Sequence, residues 1–296
     1  MKVVILLNAQ AGALAQAKGE ERTQEILAAC RAANIDAVAH ACEPAQLTAT
    51  ARRIARDSNV DAVIAAGGDG TVSAVAAGLV GTDVALGVIP LGTLNHFSKD
   101  LGIKDVDGAI AAIATGATKR IDVGEVNGRV FINNSSIGLY PEMVMQRDAD
   151  RRKNGHSKWV AMAKAALRTL LRFPLLHVAI AIAGGVFSAR TPFVLIGNNE
   201  YALGVPDVGS RPRLDGGKLS VYTIRSTSRW TMFVSMVRAL FRRRAPELDT
   251  RSVARADIVT NKRSLKVALD GEVTRMTPPL TYRSRPGALV VLGGTA

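Results

Sequence analysis

Few cysteines, few aromatic rings and no long apolar run set the first limits on this chain. Cys30 and Cys42 are the two thiols in 296 residues. No third cysteine supplies a metal-type spacing, so both read as reduced thiols in or near early helices, and the compartment as cytoplasmic. The four histidines (His40, His96, His156 and His177) are scattered and show no ligand spacing. Aromatic residues make up 4% of the chain, which leaves the core to small and aliphatic side chains. No stretch reaches the length of a membrane span. The nearest, 173–189, is interrupted by Pro174, His177 and Gly184-Gly185 and reads as a hairpin. Met1 to Asn8 lacks the length and cleavage site of a signal peptide and reads as a buried strand. No Gly-x-Ser-x-Gly elbow and no Ser/His pairing stands out. Acidic residues are also in deficit, 25 against 38 basic ones, giving a formal charge of +13 and a pI near 10.3. That balance calls for an anionic partner, nucleic acid or an acidic membrane surface. One bound nucleotide needs only a few cations and does not account for it.

What is present begins with Val63-Ile64-Ala65-Ala66-Gly67-Gly68-Asp69-Gly70-Thr71, an apolar strand running through three glycines and one carboxylate into a helix. The glycines let the backbone approach a bulky anion, and the N–H groups opening the helix suit phosphate. Asp69 would repel a phosphate unless a divalent cation lies between them or it holds a ribose hydroxyl. The plain alternative is a strand-to-helix turn with an Asp cap. A second strand, Val84 to Ile89, runs into Pro90-Leu91-Gly92-Thr93-Leu94-Asn95-His96-Phe97. Two glycine loops at strand ends suit a doubly wound sheet, whose ligands lie beyond the carboxyl ends of its strands.

Gly67 to Thr71 together with Pro90 to Asn95 resemble the nucleotide-binding signature of the diacylglycerol kinase catalytic domain, and in particular its soluble bacterial lipid kinases. NAD kinases belong to the same superfamily. The resemblance runs through nearly the whole chain. Asn8-Ala9-Gln10-Ala11-Gly12 occupies the first loop, Asp122 opens the second half, and Phe131 to Gly138 resembles the Phe-x-Asn…Gly segment. Leu214-Asp215-Gly216-Gly217-Lys218-Leu219 resembles a structural-metal loop, and Asp270-Gly271-Glu272 the late Asp-Gly-Glu. Three residues depart from the pattern: Ala9 replaces a proline, His96 an aspartate of the presumed metal network, and Gly216 a second aspartate of the structural-metal loop.

Strand and helix alternate through the first part. Strands are expected at Val3–Leu7, Ile35–His40, Asp61–Ala66 and Val84–Ile89, with helices at Gly19–Ala33, Pro44–Ser58, Thr71–Val80 and Asp105–Thr115. Beyond Asp122 the texture becomes antiparallel. Asn127-Gly128 and Gly184-Gly185 mark hairpins, and short strands follow at Phe193–Ile196, Leu219–Ile224, Asp257–Thr260 and Leu265–Leu269. The fold class expected is an α/β amino-terminal domain on a mostly parallel sheet, followed by a mainly antiparallel β-sandwich with helical insertions. Residues 1–122 form the nucleotide-binding domain, completed by a terminal strand within 286–296, and 123–285 the lipid-substrate domain. Two amphipathic segments, Lys158–Phe173 and Arg229–Arg244, carry basic stripes, and a third basic cluster runs from Arg147 to Lys153. They suit docking on an anionic bilayer, each basic residue adding roughly 1 kcal/mol at the surface. An ordinary solvated face is the alternative for any one of them.

The resemblance implies an ATP- and Mg²⁺-dependent kinase that phosphorylates a lipid hydroxyl, diacylglycerol by default. Asn8, Gly67, Gly68, Asp69, Gly70, Thr71, Gly92, Thr93 and Asn95 would hold the nucleotide. Asp69 and Asp122 would serve the catalytic Mg²⁺ network, and Asp215 a structural cation. Asp270 would be the general base, supported by Glu272. Taken alone, Asp270-Gly271 reads first as a turn after the Leu265–Leu269 strand. NAD kinase remains a second reading, since it shares the Gly-Gly-Asp-Gly-Thr loop and Asn198-Asn199-Glu200 is similar to its Asn-Glu pair. A basic module without turnover is the third. The partners expected are a lipid alcohol and an anionic inner-membrane surface, with no nucleic acid. A homodimer stays open.

Overall fold

Tyr282 and Ser135 join their hydroxyls over 3.0 Å at the centre of the carboxy-terminal half, where two sheets face each other. The computed structural model describes residues 1–8, 16–57, 59–138, 141, 175–202, 210–224 and 248–293. The basic segments expected at 147–153, 158–173 and 229–244, and residues 9–12 of the first loop, lie outside them.

In chain order the elements are β1 (Lys2–Asn8), α1 (Gln16–Ala32), β2 (Asp36–Cys42), α2 (Leu47–Ile54), β3 (Ala62–Gly67), α3 (Asp69–Leu79), β4 (Ala85–Pro90), α4 (His96–Asp100) and α5 (Val106–Thr115). Then come β5 (Thr118–Val126), β6 (Arg129–Phe131), β7 (Asn134–Gly138), β8 (Leu176–Ile182), β9 (Gly185–Thr191), β10 (Phe193–Asn198) and β11 (Leu219–Ile224). The last are β12 (Leu248–Val253), β13 (Arg255–Thr260), β14 (Leu265–Leu269), β15 (Glu272–Met276) and β16 (Leu280–Leu292).

The first sheet runs β2-β1-β3-β4-β16-β13-β8-β9, with β5 and β6 branching from β16. Its first five strands are parallel. Beyond β16 the pairing turns antiparallel. β3 and β4 are buried at every position, which is why both read as unbroken apolar runs rather than alternating ones. Each large aliphatic side chain so buried contributes roughly 1.5–3 kcal/mol. Local signals set the helix ends where they are strong. Asp105 caps α5 by accepting from Gly108 N at 2.8 Å, and Gly116 ends it at φ 64°.

The second sheet, β12-β11-β10-β7-β14-β15, is antiparallel throughout. Ile137, Val194, Ile196, Val221 and Val267 from it pack with Val178, Ile180, Ile258, Leu280 and Tyr282 of the first sheet. The carboxy-terminal half is therefore a sandwich, as its short alternating strands suggested.

Two differences from the sequence expectation matter. β5 begins at Thr118 and β16 at Leu280, so these two strands form one long antiparallel ribbon shared by both halves. The terminal strand expected within 286–296 is the end of this longer β16, which contains Pro286-Gly287. Pro286-Gly287 sits where the register shifts between Arg285 and Leu289, a bulge that accepts proline without losing a ladder bond. The helix expected over 44–58 is split into a 3₁₀ turn at Pro44–Gln46 and α2, which ends at Ile54.

Candidate active site

β1, β3 and β4 end level with one another. Leu7 pairs with Ala66 and Gly67 with Pro90, so Asn8 and Gly67 share the carboxyl edge of the parallel strands. Gly68 caps α3 in an extended conformation, and the N–H groups of the first turn, from Asp69 onward, face outward from that edge. The second loop is folded onto the first. Leu91 N donates to Gly67 O at 3.0 Å, and a Cβ on Gly92 would lie 2.6 Å from Gly68 Cα. Gly92 permits that backbone-to-backbone approach, since any side chain there would strike Gly68.

Asn95 holds its own loop. In the left-handed conformation at φ 49°, it accepts from Gly92 N at 3.1 Å and donates to Gly92 O at 2.8 Å. Thr93 and Leu94 are exposed between these anchors. Asp69 Oδ1 accepts from His96 N at 2.8 Å, while the His96 residue itself is exposed. His96 thus contributes a backbone donor to Asp69. Thr71 is buried, turned against Gly67 rather than outward.

The Asp270 carboxylate is the most heavily bonded group near these loops. Its Oδ2 accepts from Ser73 Oγ at 2.5 Å and Ile132 N at 2.8 Å, and its Oδ1 from Asn133 N at 2.8 Å and Asn134 N at 3.0 Å. Asp270 and Gly271, at φ 47° and 90°, form the two-residue turn between β14 and β15. A turn aspartate ordinarily faces water. Here the side chain is drawn inward by donors from α3 and from the β6–β7 connection. Burial pushes its carboxyl above the ordinary value, and Ser73 with the three backbone N–H groups pulls back against it. Glu272 opens β15, exposed, with Oε1 3.8 Å from where a Cβ on Gly70 would stand. One hairpin thus brings both late carboxylates to the first glycine loop.

The Asp122 and Asp215 carboxylates bond to other partners. Asp122 is buried, and its two oxygens accept from Gly217 N at 2.6 Å and Gly287 N at 2.9 Å, clamping the 214–218 loop to the bulge of β16. Asp215 lies between Arg213 Nε at 3.2 Å and Lys119 Nζ at 3.4 Å. The Arg213 guanidinium, with Lys119 beside it, holds the Asp215 carboxyl below the ordinary value. A Cβ on Gly216 would fall 2.7 Å from Asn199 Oδ1, which accepts from Gly216 N. The donor set offered to a cation in this loop is therefore one carboxylate already flanked by two cations, and it does not fit a structural divalent ion. Oxygen ligands beside the glycine loops do suit Mg²⁺, and Asp69 and Glu272 supply carboxylates there. Among the described residues, no group of three or more His, Cys, Asp or Glu side chains gathers as a metal site.

Several residues of the cluster carried no flag in the sequence. Ser73 stands four residues after Asp69, one helical turn on, and that spacing could have revealed it. Arg211 and Asp100 pair at 2.7 Å across 111 residues of chain, and no local pattern signals such a contact. Tyr201 packs beside them, its hydroxyl pushed to a higher pKa by burial while Arg211 draws it down. Asn198, part of the Asn-Asn-Glu run, donates to Asp122 O and Ile132 O, both at 2.9 Å, and is buried.

Comparison with known proteins adds to this geometry. Residues 2–126 match a model of the diacylglycerol kinase catalytic domain, and residues 142–293 match a YegS C-terminal NAD kinase beta sandwich-like domain. A diacylglycerol kinase of Bacillus subtilis is 45% identical over 87 residues, 28% of this chain and 29% of that protein. One from Staphylococcus epidermidis is 29% identical over 177 residues, 59% of this chain and 55% of that protein. The matched region thus spans about half or less of the length of these curated relatives. A crystal structure of a diacylglycerol kinase from Bacillus anthracis shares the fold, with a TM-score of 0.69 at 22% identity over 99% of this chain and 97% of the other.

Proposed function

The chain belongs to the family that joins a diacylglycerol kinase catalytic domain to a YegS-type β-sandwich, and from that premise we propose that it transfers the γ-phosphate of ATP to the hydroxyl of a lipid alcohol such as diacylglycerol. The observation that carries this reading is the seat of Asp270. Its carboxylate is tied to Ser73 of the helix that starts at the first glycine loop and to backbone donors of the sandwich half. A base fixed between a phosphate site and a second domain is what in-line transfer to a bulky alcohol requires.

In this reading the nucleotide lies along the strand edge, against Asn8, Gly67, Gly68, Asp69, Gly70, Thr71, Gly92, Thr93 and Asn95. Thr71 and Asn95 act by shaping the loops, since their side chains are spent inward. Asp69, with Glu272 nearby, would hold Mg²⁺. When bound, Mg²⁺ neutralises charge on the transferring phosphoryl group. Asp270 takes the proton of the lipid hydroxyl late, as the new O–P bond forms, because a carboxylate is a weak base for a free alcohol. Asp122 serves as the clamp between loop 214–218 and β16, and so supports the site from outside it.

Incubation with labelled ATP and Mg²⁺, over a panel of lipid alcohols in mixed micelles and with NAD, tests the assignment. Product from a lipid alcohol supports it; product from NAD alone removes it.

The surplus of positive charge, +13, supports docking on the anionic inner leaflet by a protein resident in the cytoplasm. Among the described residues, no helix is long and apolar enough to cross a membrane. Vesicle sedimentation decides the point. Pelleting with anionic lipid and not with neutral lipid is the expected result, and equal pelleting with both removes electrostatic docking.

A further inference from the structure

Arg211 is enclosed: its side chain has no solvent exposure, and that of Asp100 has 6%. All five guanidinium N–H donors are used. Nε donates to Asp100 Oδ2 at 2.9 Å. Nη2 divides between that oxygen at 2.7 Å and Asn133 Oδ1 at 2.8 Å. Nη1 divides between Ile132 O at 2.6 Å and Asn198 O at 3.2 Å. The guanidinium carbon stands 6.0 Å from the Phe97 ring centre and 5.7 Å from that of Tyr201. Asp100 closes α4, the helix that leaves the second glycine loop at Asn95.

The bond to Ile132 O has a consequence for Asp270. Ile132 C=O and Asn133 N–H are two ends of one peptide unit. Arg211 and Asn198 donate to its oxygen, and its N–H donates to Asp270 Oδ1 at 2.8 Å. A cation at the carbonyl end polarises the peptide and strengthens the hydrogen bond at the other end. As a stability device a buried ion pair is poor value, since desolvation cancels much of the attraction. As a means of fixing one peptide plane between two loops it is well suited.

We propose that Arg211, locked by Asp100, is a positioning residue for Asp270: it orients and polarises the Ile132–Asn133 peptide that grips the carboxylate, and ties that peptide to the helix behind the second glycine loop. The catalytic meaning rests on the kinase reading; the relay itself does not. Among the described residues, the acids Glu272 on the same hairpin, Asp69 one turn before Ser73, and Tyr201 and Asp100 beside the guanidinium flank this relay.

The test is steady-state kinetics of wild type and Arg211→Lys together with the chemical shift and hydrogen exchange of the Asn133 amide. In Arg211→Lys kcat falls about tenfold while KM for ATP and lipid stays within about twofold, the signature of an effect on the chemical step. In the same variant the Asn133 amide proton, held downfield in wild type by its bond to the carboxylate, moves upfield as the peptide loses its grip. A folded Arg211→Lys with an unmoved Asn133 amide overturns the proposal. The wild-type protein supplies a readout that does not depend on the variant folding: an Asn133 amide that exchanges as fast as an exposed one overturns the relay. Wild type that turns over no lipid alcohol, with an Asn133 amide that still moves in the variant, removes the kinase reading and keeps the relay.

Discussion

Ser73 Oγ donates to Asp270 Oδ2 over 2.5 Å, joining two residues 197 positions apart in sequence. Ser73 lies in the first half of α3, and Asp270 sits in a turn of the sandwich. The bond therefore makes the late carboxylate a neighbour of the glycine loop from which α3 springs.

Removing the carboxylate charge tests its role directly. Asp270→Asn keeps the shape of the side chain and still accepts through one oxygen, while its NH2 faces a backbone donor, so some stability is lost with the charge. As a general base it contributes on the order of 10²–10⁴-fold, and kcat should fall by that much with nucleotide affinity retained. Turnover within a few-fold of wild type would remove Asp270 from the chemistry.

Ser73→Ala takes away one of four donors and leaves the other three. A hydrogen bond to a charged group contributes about 1.5–3 kcal/mol, so a modest loss of stability and a larger loss of kcat than of substrate affinity are expected. Urea denaturation and steady-state kinetics measure both. A variant indistinguishable from wild type would show that the contact is incidental.

The pH dependence follows from the raised Asp270 carboxyl. Activity needs the ionised form, so kcat rises with pH through a midpoint above the ordinary carboxylate value. For stability the sign is opposite. The folded state binds the proton more tightly than the unfolded chain does, so ΔG of unfolding falls as pH rises between the two values. The contribution is complete below the unfolded value and lost as pH climbs through the folded one. Relative to wild type, Asp270→Asn should gain stability on going from acidic to neutral pH. Urea melts at both pH values check this, and a stability difference that ignores pH would contradict it.

Gly92→Ala puts a methyl 2.6 Å from Gly68 Cα and 2.7 Å from Asn95 Oδ1. Backbone atoms cannot rotate away, so the two loops must part, at a cost of about 1–3 kcal/mol. Calorimetric titration with a non-hydrolysable ATP analogue should show weakened binding. Unchanged affinity would place the nucleotide elsewhere.

Chelation separates the two metal expectations. Asp215 is already paired with Arg213 and Lys119, and the oxygens of Asp122 already accept from backbone donors. EDTA should therefore abolish turnover and leave the melting temperature unchanged. A drop in Tm on chelation would reveal a cation that holds the fold together.

Much of this arrangement was legible along the chain because the signals are local. Gly67-Gly68-Asp69-Gly70 and Gly92 lie where their strands end, since apolar runs and glycine turns need no distant partner to declare themselves. Asp270-Gly271 was readable as a turn, and as a family base only by resemblance. Its inward-facing carboxylate depends on Ser73 and on Ile132 to Asn134, which come from other elements. Thr71 was assigned to the ligand by its place in the motif, yet its side chain is taken up by packing against Gly67.

Residue order by itself determined the alternating strands and helices, the two glycine loops at one sheet edge and the change to antiparallel texture past Asp122, because each depends on periodicity and backbone freedom within a few residues. The third dimension decided which charges meet. The enclosure of Arg211 with Asp100, the four-donor seat of Asp270, the diversion of Asp122 and Asp215 to backbone and basic partners, and the ribbon of β5 and β16 shared by both halves all join distant segments. Electrostatic partnership acts through space, so no spacing along the chain records it.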